Sequence, residues 1–253
     1  NMDGQIASIV ADARSQNLDA IYVSVFRATG PRRGQLWIDD SSRRWNLGIG
    51  PVRPNGNGIN LQRLITAAHA GGLQVIGVLK CFDATVQPDD ASHRQMLLEV
   101  VKYLTESYDV SGRPVFDLDG LALDYIRYVS SGCTGKSATL VTNLVAAIKR
   151  QIQPLSLHAY LLAGRYTFDG PTYDTRFNSY ASVTGTNRRC YGQDWEALAR
   201  HLDVMMPMAY TANGSIYNTV AEHRAYVQTV ASYARLAAQR SGSTTTRVVP
   251  TIR

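Results

Sequence analysis

Along the 253 residues, short apolar runs alternate with segments of helical spacing, and that alternation restricts the fold more than any other feature of the chain. The runs Ala20–Phe26, Leu73–Phe82, Leu121–Leu123, Leu155–Ala163, Val204–Tyr210 and Arg247–Ile252 read as strands. Between them helices are predicted over Ile6–Gln16, Leu61–Ala70, Ser92–Glu106, Ser137–Gln151, Trp195–His201 and Tyr217–Gln239. Gly71-Gly72 closes the second helix, and Asp90 or Ser92 caps the third. Strand–helix–strand repeats of this kind build a parallel sheet through right-handed crossovers. The chain opens on a helix and breaks off in a strand. The expectation is therefore an α/β fold, a (β/α)8 TIM barrel incomplete at one or both ends, forming a single domain over residues 1–253 of a longer polypeptide. An open flavodoxin-like sheet is the competitor, and it is disfavoured because no Gly-rich phosphate loop follows any strand.

Within this frame the stretch from Phe116 to Tyr128 carries the most chemistry. Turn residues Asp117, Asp119 and Gly120 lead into Leu121, Ala122 and Leu123, and then a carboxylate, two phenols and a guanidinium follow within Asp124–Tyr128. Strand side chains alternate, so Gly120, Ala122 and Asp124 share one face and Leu121, Leu123 and Tyr125 the other. The small face suits a crowded barrel interior. Asp124 then projects into the barrel mouth at the carboxyl end of its strand, where such folds place their chemistry, and Tyr125 packs outward.

The formal charge is +6 with a pI near 9.3, but the basic residues are scattered and no recognised motif accompanies them, so no nucleic-acid partner is expected. No apolar run is long enough for a membrane span. Cys81, Cys133 and Cys190 form no C-x-x-C, which leaves no metal site and no cofactor in prospect. Cys133 and Cys190 lie in Gly/Ser/Thr-rich loops at the same barrel end, placed either to pair in an oxidising compartment or to remain free. Cys81 reads as a small buried hydrophobe. His158 reads as a hydrogen-bonded barrel residue, and His69, His93, His201 and His223 as surface positions on helices. Arg27–Asn60 and Gly164–Gln193 read as long functional loops. Asn213-Gly-Ser215 matches a glycosylation acceptor.

Gly120-Leu-Ala-Leu-Asp-Tyr-Ile-Arg-Tyr128, with Asp119 before it, resembles the D-G-[IL]-x-[FL]-D-Y-[IF]-R-[FY] strand of the glycosyl-hydrolase-like TIM-barrel group, distant relatives of the chitinase-type barrels. Asp203-Val-Met-Met-Pro-Met-Ala-Tyr210 is similar to that group's later D-x-[IV]-x-P-M-x-Y strand, and Ala20–Arg27 to its early strand, which often ends in Arg. The resemblance implies an exported, polysaccharide-acting or peptidoglycan-associated barrel, secreted or at the cell surface. Asp124, Arg127 and Tyr210 fall on the group's Asp, Arg and Tyr. One position departs: Ile126 stands where the chitinase pattern has its general-acid Glu, which argues against substrate-assisted chitinase chemistry.

Glycoside hydrolysis normally uses two carboxyl groups, one protonated as acid and one ionised as base or nucleophile. Asp124 is the first, and Asp83, after the neighbouring strand, is its best partner. Asp39, Asp40, Asp169 and Asp174 lie on the long loops. Tyr128 and Tyr210 are expected to bind sugar hydroxyls. Trp37 is expected to stack on a sugar ring, with Trp45, Tyr166, Tyr173 and Tyr180 as further loop aromatics that either do the same or pin their own loops. Arg27 and Arg127 are expected to hold an anionic sugar or to orient Asp124. The alternative is a non-catalytic carbohydrate-binding or cell-surface assembly barrel, with self-association or further domains. A third reading is an α/β enzyme of another class, such as a lyase or aldolase, forming a Schiff base on Lys80.

Overall fold

The computed structural model describes residues 2–30, 33–38, 52–108, 110–129, 132–163, 179–209 and 219–252; for residues 2, 3, 37, 38 and 52–59 the backbone alone is described. In chain order the elements are α1 (Met2–Ser15), β1 (Ala20–Gly30), β2 (Arg33–Ile38), β3 (Val52–Ile59), α2 (Leu61–Ala70), β4 (Gln74–Lys80), α3 (Ala91–Glu106), β5 (Gly120–Asp124) and α4 (Ala138–Ile152). There follow β6 (Ser156–Leu162), α5 (Tyr180–Thr186), a π-helical turn (Asn187–Tyr191), α6 (Trp195–Ala199), β7 (Val204–Met208), α7 (Val220–Ser241) and β8 (Arg247–Val248). Strands β1, β4, β5, β6, β7 and β8 are parallel and adjacent in that order. This is an alternating α/β architecture of TIM-barrel type.

Local chemistry sets the helix ends. Asn60, Asp90, Ser137 and Asp194 accept backbone N–H groups at the starts of α2, α3, α4 and α6. Thr219 and Glu222 form a reciprocal capping box on α7. At the end of α2, Gly72 adopts a left-handed φ of 75° while its N–H donates to His69 and that of Leu73 to Ala68. That pattern turns the chain directly into β4.

The sheet has two different faces. Val75 and Leu79 of β4, Leu121 and Leu123 of β5, Leu157, Ala159 and Leu161 of β6 and Met205 of β7 join the core formed with the helices. The opposite face carries Tyr22, Ile76, Gly120, Ala122 and His158. Tyr22 on β1 meets His158 Nδ1 on β6 at 2.8 Å although β4 and β5 lie between. In a flat sheet those strands would stand roughly 14 Å apart, at about 4.8 Å per neighbour. The sheet is therefore curled, with this face inward. Among the described residues its ladder ends at β3 on one side and β8 on the other. Burial first, then the charge of Arg247, push the His158 pKa down to about 4, so the ring is neutral at physiological pH.

Two aspartates pin the amino ends of the strands. Asp119, just before β5, accepts the Val75 N–H of β4 at 2.7 Å and pairs with His69 at 2.9 Å. Asp203, just before β7, accepts the Leu157 N–H of β6 at 2.7 Å and pairs with Lys149 at 2.6 Å. Each carboxylate accepts an N–H near the start of the neighbouring strand, and Asp203 does so beside the Lys149 ammonium. Next to Asp119, Gly120 leaves no room for a side chain: a Cβ there would stand 2.2 Å from Ser156 Oγ and 2.5 Å from the Ser156 carbonyl oxygen. The second atom is backbone and cannot swing aside. Gly120→Ala should therefore force β5 from β6 and cost roughly 1–3 kcal/mol, measurable as a lowered thermal midpoint with unchanged helix content.

Several expectations need correction. Arg27–Asn60 is not one loop: β1 continues to Gly30, β2 pairs with it antiparallel, and β3 pairs with β2. Its Gly and Arg residues mimic loop composition, yet this pairing at the edge of the sheet asks for little apolar content. Gly164–Gln193 likewise holds α5 and the π-helical turn. His93 is not a surface residue: it is wholly buried, with Nε2 bonded to the Cys81 carbonyl at 2.9 Å. Ser179 caps α5, so Tyr180 begins a helix; its hydroxyl donates to Glu196, and Arg240 lies over its ring at 4.5 Å. It pins the helices together.

Candidate functional site

At the carboxyl end of the parallel strands, register lines up three charged residues. Lys80 on β4 is opposite Asp124 on β5, and Arg27 on β1 is opposite Lys80. Partners in a parallel ladder share a face, so all three belong to the inward face. For Arg27 this depends on a β-bulge between Ser24 and Phe26. Uninterrupted alternation would give Phe26 that place; the extra residue sends Phe26 into the core, fully buried, and delivers exposed Arg27 to the row instead. Bulges re-aim side chains in this way.

Regular strand geometry stops at Asp124. Its carbonyl accepts the Cys81 N–H at 2.8 Å, and its Oδ1 accepts the N–H of Tyr125 at 2.8 Å. Tyr125 has φ 51°, a left-handed conformation that is strained for a bulky residue. The chain therefore turns sharply, and Tyr125 does not pack outward as alternation predicts. Its half-buried ring is a platform for two cations: Lys80 Nζ lies 4.5 Å from the ring centroid and Arg127 Cζ 4.1 Å. Burial raises the Asp124 pKa, while Arg127, the Tyr125 N–H and Lys80 pull it back. Desolvation is the largest of these influences, so this carboxyl holds its proton more tightly than an ordinary aspartate.

A second layer fixes this turn. Gln193, wholly buried, accepts the Leu162 N–H at 2.9 Å and donates to the carbonyls of Tyr160 at 3.1 Å and Ile126 at 3.4 Å. Gln87 accepts the Val129 N–H at 2.8 Å and donates to the Asp83 carbonyl at 2.9 Å. Cys133 and Cys190 are joined in a disulfide, which ties the segment after β5 to the π-helical turn; Cys81 is free and buried. Because the bridge closes a sequence separation of 57, the paired change Cys133→Ser and Cys190→Ser should cost about 2–4 kcal/mol, read as a fall in denaturation midpoint that reductant reproduces in the parent.

The other expected site residues divide clearly. Asp83 lies three residues beyond Lys80, and its Oδ1 accepts from the Thr85 N–H, the Thr85 hydroxyl and the Val86 N–H at 2.8, 2.7 and 3.0 Å. That oxygen is engaged in its own turn. Tyr128 is not placed to bind a sugar: it is 0% exposed, its hydroxyl donates to Asp89 at 2.5 Å and accepts the Ser137 N–H at 3.1 Å. Gly192 closes against its ring, where a Cβ would stand 2.9 Å from Cδ2. Burial and the Asp89 bond push the phenol up to about 12. Ile126 is fully buried in the core, so the position of the chitinase acid belongs here to packing. Tyr210, Asp39, Asp40, Trp45, Tyr166, Asp169, Tyr173, Asp174 and Asn213–Ser215 lie outside the described residues, as does the side chain of Trp37. Lys80, which alternation along β4 places on the inward face, completes the site with Tyr125, Gln87 and Gln193, which alternation alone does not identify. Among the described residues no group of three His, Cys, Asp or Glu is placed to hold a metal ion, and no helix is long and apolar enough to cross a membrane.

No family model and no curated protein sequence matches the chain. Solved structures do. The spore cortex-lytic enzyme SleL of Bacillus cereus superposes with a TM-score of 0.56 at 10% identity, over 97% of this chain and 46% of that one. The PgaB (BpsB) glycoside hydrolase domain of Bordetella bronchiseptica gives 0.56 at 8% identity, over 97% and 87%. AbfB, a family 51 α-L-arabinofuranosidase of Bifidobacterium longum, gives 0.50 at 14%, over 95% and 46%. The chain thus spans less than half the length of two of these proteins. The fold is that of a glycosidase-like barrel.

Proposed function

We propose that the protein is a glycoside hydrolase acting on a polysaccharide, with Asp124 as its general acid. The observation that carries this is a desolvated carboxyl with a raised pKa, at the strand end where barrels of this type place their chemistry. In this reading Asp124 gives its proton to the glycosidic oxygen as the bond to the anomeric carbon breaks. The leaving sugar departs as an alcohol. Water supplies the hydroxyl that ends on the anomeric carbon, and its proton passes to a carboxylate base. Asp83, on the loop after the adjacent strand, takes that part through the oxygen not engaged with Thr85 and Val86. Arg127 and Lys80 position substrate, and Tyr210 and Trp37 contact the sugar. The disulfide supports an oxidising compartment, and with it secretion or display at the cell surface.

A non-catalytic carbohydrate-binding barrel is the second reading, favoured by the buried Ile126 and by the turn that engages Asp83. Release of new reducing ends from a polysaccharide panel separates the two. Hydrolysis that disappears in Asp124→Asn supports the enzyme; saturable glycan binding with no product from the parent supports the binding module.

A further inference from the structure

The strand end gathers three cations, Arg27, Lys80 and Arg127, around one carboxyl, Asp124. Arg27, Lys80 and Arg127 occupy adjoining positions, and among the described residues no ion pair involves any of them. Mutual repulsion of clustered cations opposes folding. The chain meets that cost at the same spot as a second one, the left-handed Tyr125, whose ring faces Lys80 and Arg127. A bulge in β1 is also used to bring Arg27, not Phe26, into the row. Even with Asp124 ionised, the cluster keeps an excess of positive charge. Guanidinium groups match planar anionic oxygens bidentately, whereas a neutral sugar needs no such concentration of cations.

We infer that this site takes an acidic glycan: a sugar carrying a carboxylate or sulfate group, bound by Arg27, Lys80 and Arg127 beside Asp124. The inference rests on the site being a glycan site and names the substrate class. Paired with the substrate's anion, Lys80 and Arg127 no longer favour ionisation of Asp124, so substrate binding itself keeps the acid protonated.

The test measures binding of the full chain, by affinity electrophoresis, to polygalacturonate and dextran sulfate. Carboxyl-reduced polygalacturonate and plain dextran are the uncharged counterparts. Acidic chains should bind about tenfold or more tightly than their neutral counterparts, and Arg27→Gln or Lys80→Gln should each remove about tenfold of that affinity. Lys102→Gln, which removes the same charge from an exposed position on α3, should leave it unchanged. Arg27 is exposed, so its variant leaves the core intact and keeps the test decisive. Preference for polygalacturonate assigns the carboxylate, and preference for dextran sulfate the sulfate. Equal affinity for the reduced chain, equal weakening by Lys102→Gln, or tighter binding of a DNA duplex than of either polymer overturns the inference. Asp124-dependent cleavage of a neutral polysaccharide, indifferent to Arg27→Gln and Lys80→Gln, would remove the acidic-glycan inference and leave the hydrolase. Acidic-glycan binding through these residues with no product from the parent would do the reverse.

Discussion

Asp124→Asn is expected to lower the rate of polysaccharide hydrolysis by roughly 10²–10⁴-fold while melting no lower than the parent at pH 7. The two halves have one cause. Burial raises the Asp124 pKa above its ordinary value, so the folded protein resists ionising a group that the unfolded chain ionises freely. For a carboxyl with a raised folded pKa, stability is greatest at low pH and is lost as pH climbs through the folded value. Asn has no charge to desolvate and escapes that loss, so the advantage of the variant should shrink as pH falls through about 3.9 and vanish about a unit below it, where the parent carboxyl is protonated in both states. Catalysis has the same sign: a general acid must hold its proton, so the parent rate should decline as pH rises through the raised pKa. Lys80 and Arg127 pull that pKa down. Lys80→Gln should therefore move the alkaline limb of the kcat/KM profile, which reports the free enzyme, upward. Parallel activity and stability losses in Asp124→Asn, or a pH profile indifferent to Lys80, would reduce Asp124 to a structural group.

How far the sequence discloses this arrangement depends on how local each cause is. Parallel order and most strand positions follow from period, and the cap at Asp90 from short-range hydrogen bonding; β4, β5, β6 and β7 lie within two residues of their expected bounds, while β1 runs four residues further and β8 stops four short. Cys133 and Cys190 are left open by the sequence, because pairing depends on where two loops end. The inward face of Gly120, Ala122 and Asp124 is equally legible, being plain alternation. Alternation fails where the backbone leaves its ladder. The bulge before Phe26 exchanges the faces of Phe26 and Arg27, and the left-handed turn at Tyr125 brings an outward-facing residue to the site. Neither break has a local signature: no glycine stands at Tyr125, although glycine is what such a φ favours. Tyr128 fails differently. Its phenol looks like a ligand group in a motif, and only the tertiary neighbours Asp89, Ser137 and Gly192 show that it is packed away.

Gln193 is the residue whose loss should damage the structure most for the size of the change. The pairing of β5 with β6 ends at Leu123 and Ala159, because β5 turns away at Tyr125. Beyond that point the edge of β6 would face a buried gap with its peptide groups unmet. The Gln193 side chain fills it: its carbonyl accepts from Leu162 N–H and its amide donates to Tyr160 O, the two groups that bracket Leu161. A residue of a parallel neighbour bonds in the same way, one N–H back and one C=O forward. The side-chain amide therefore stands in for a missing peptide, and its second N–H reaches Ile126 O to hold the turn that carries Arg127. Gln193→Leu keeps the volume and removes all three bonds. At about 1–3 kcal/mol for each buried group left unpaired, the loss should be about 3 kcal/mol or more, a fall of roughly 6–12 °C in melting temperature for a chain of this size. Gln193→Glu sharpens the test. An ionised carboxylate still accepts from Leu162 but faces two carbonyl oxygens, so this variant should be less stable than the parent at pH 8 and recover part of the loss near pH 4, where protonation restores one donor. A Leu variant as stable as the parent, or a Glu variant without pH-dependent recovery, would mean that Gln193 only fills space.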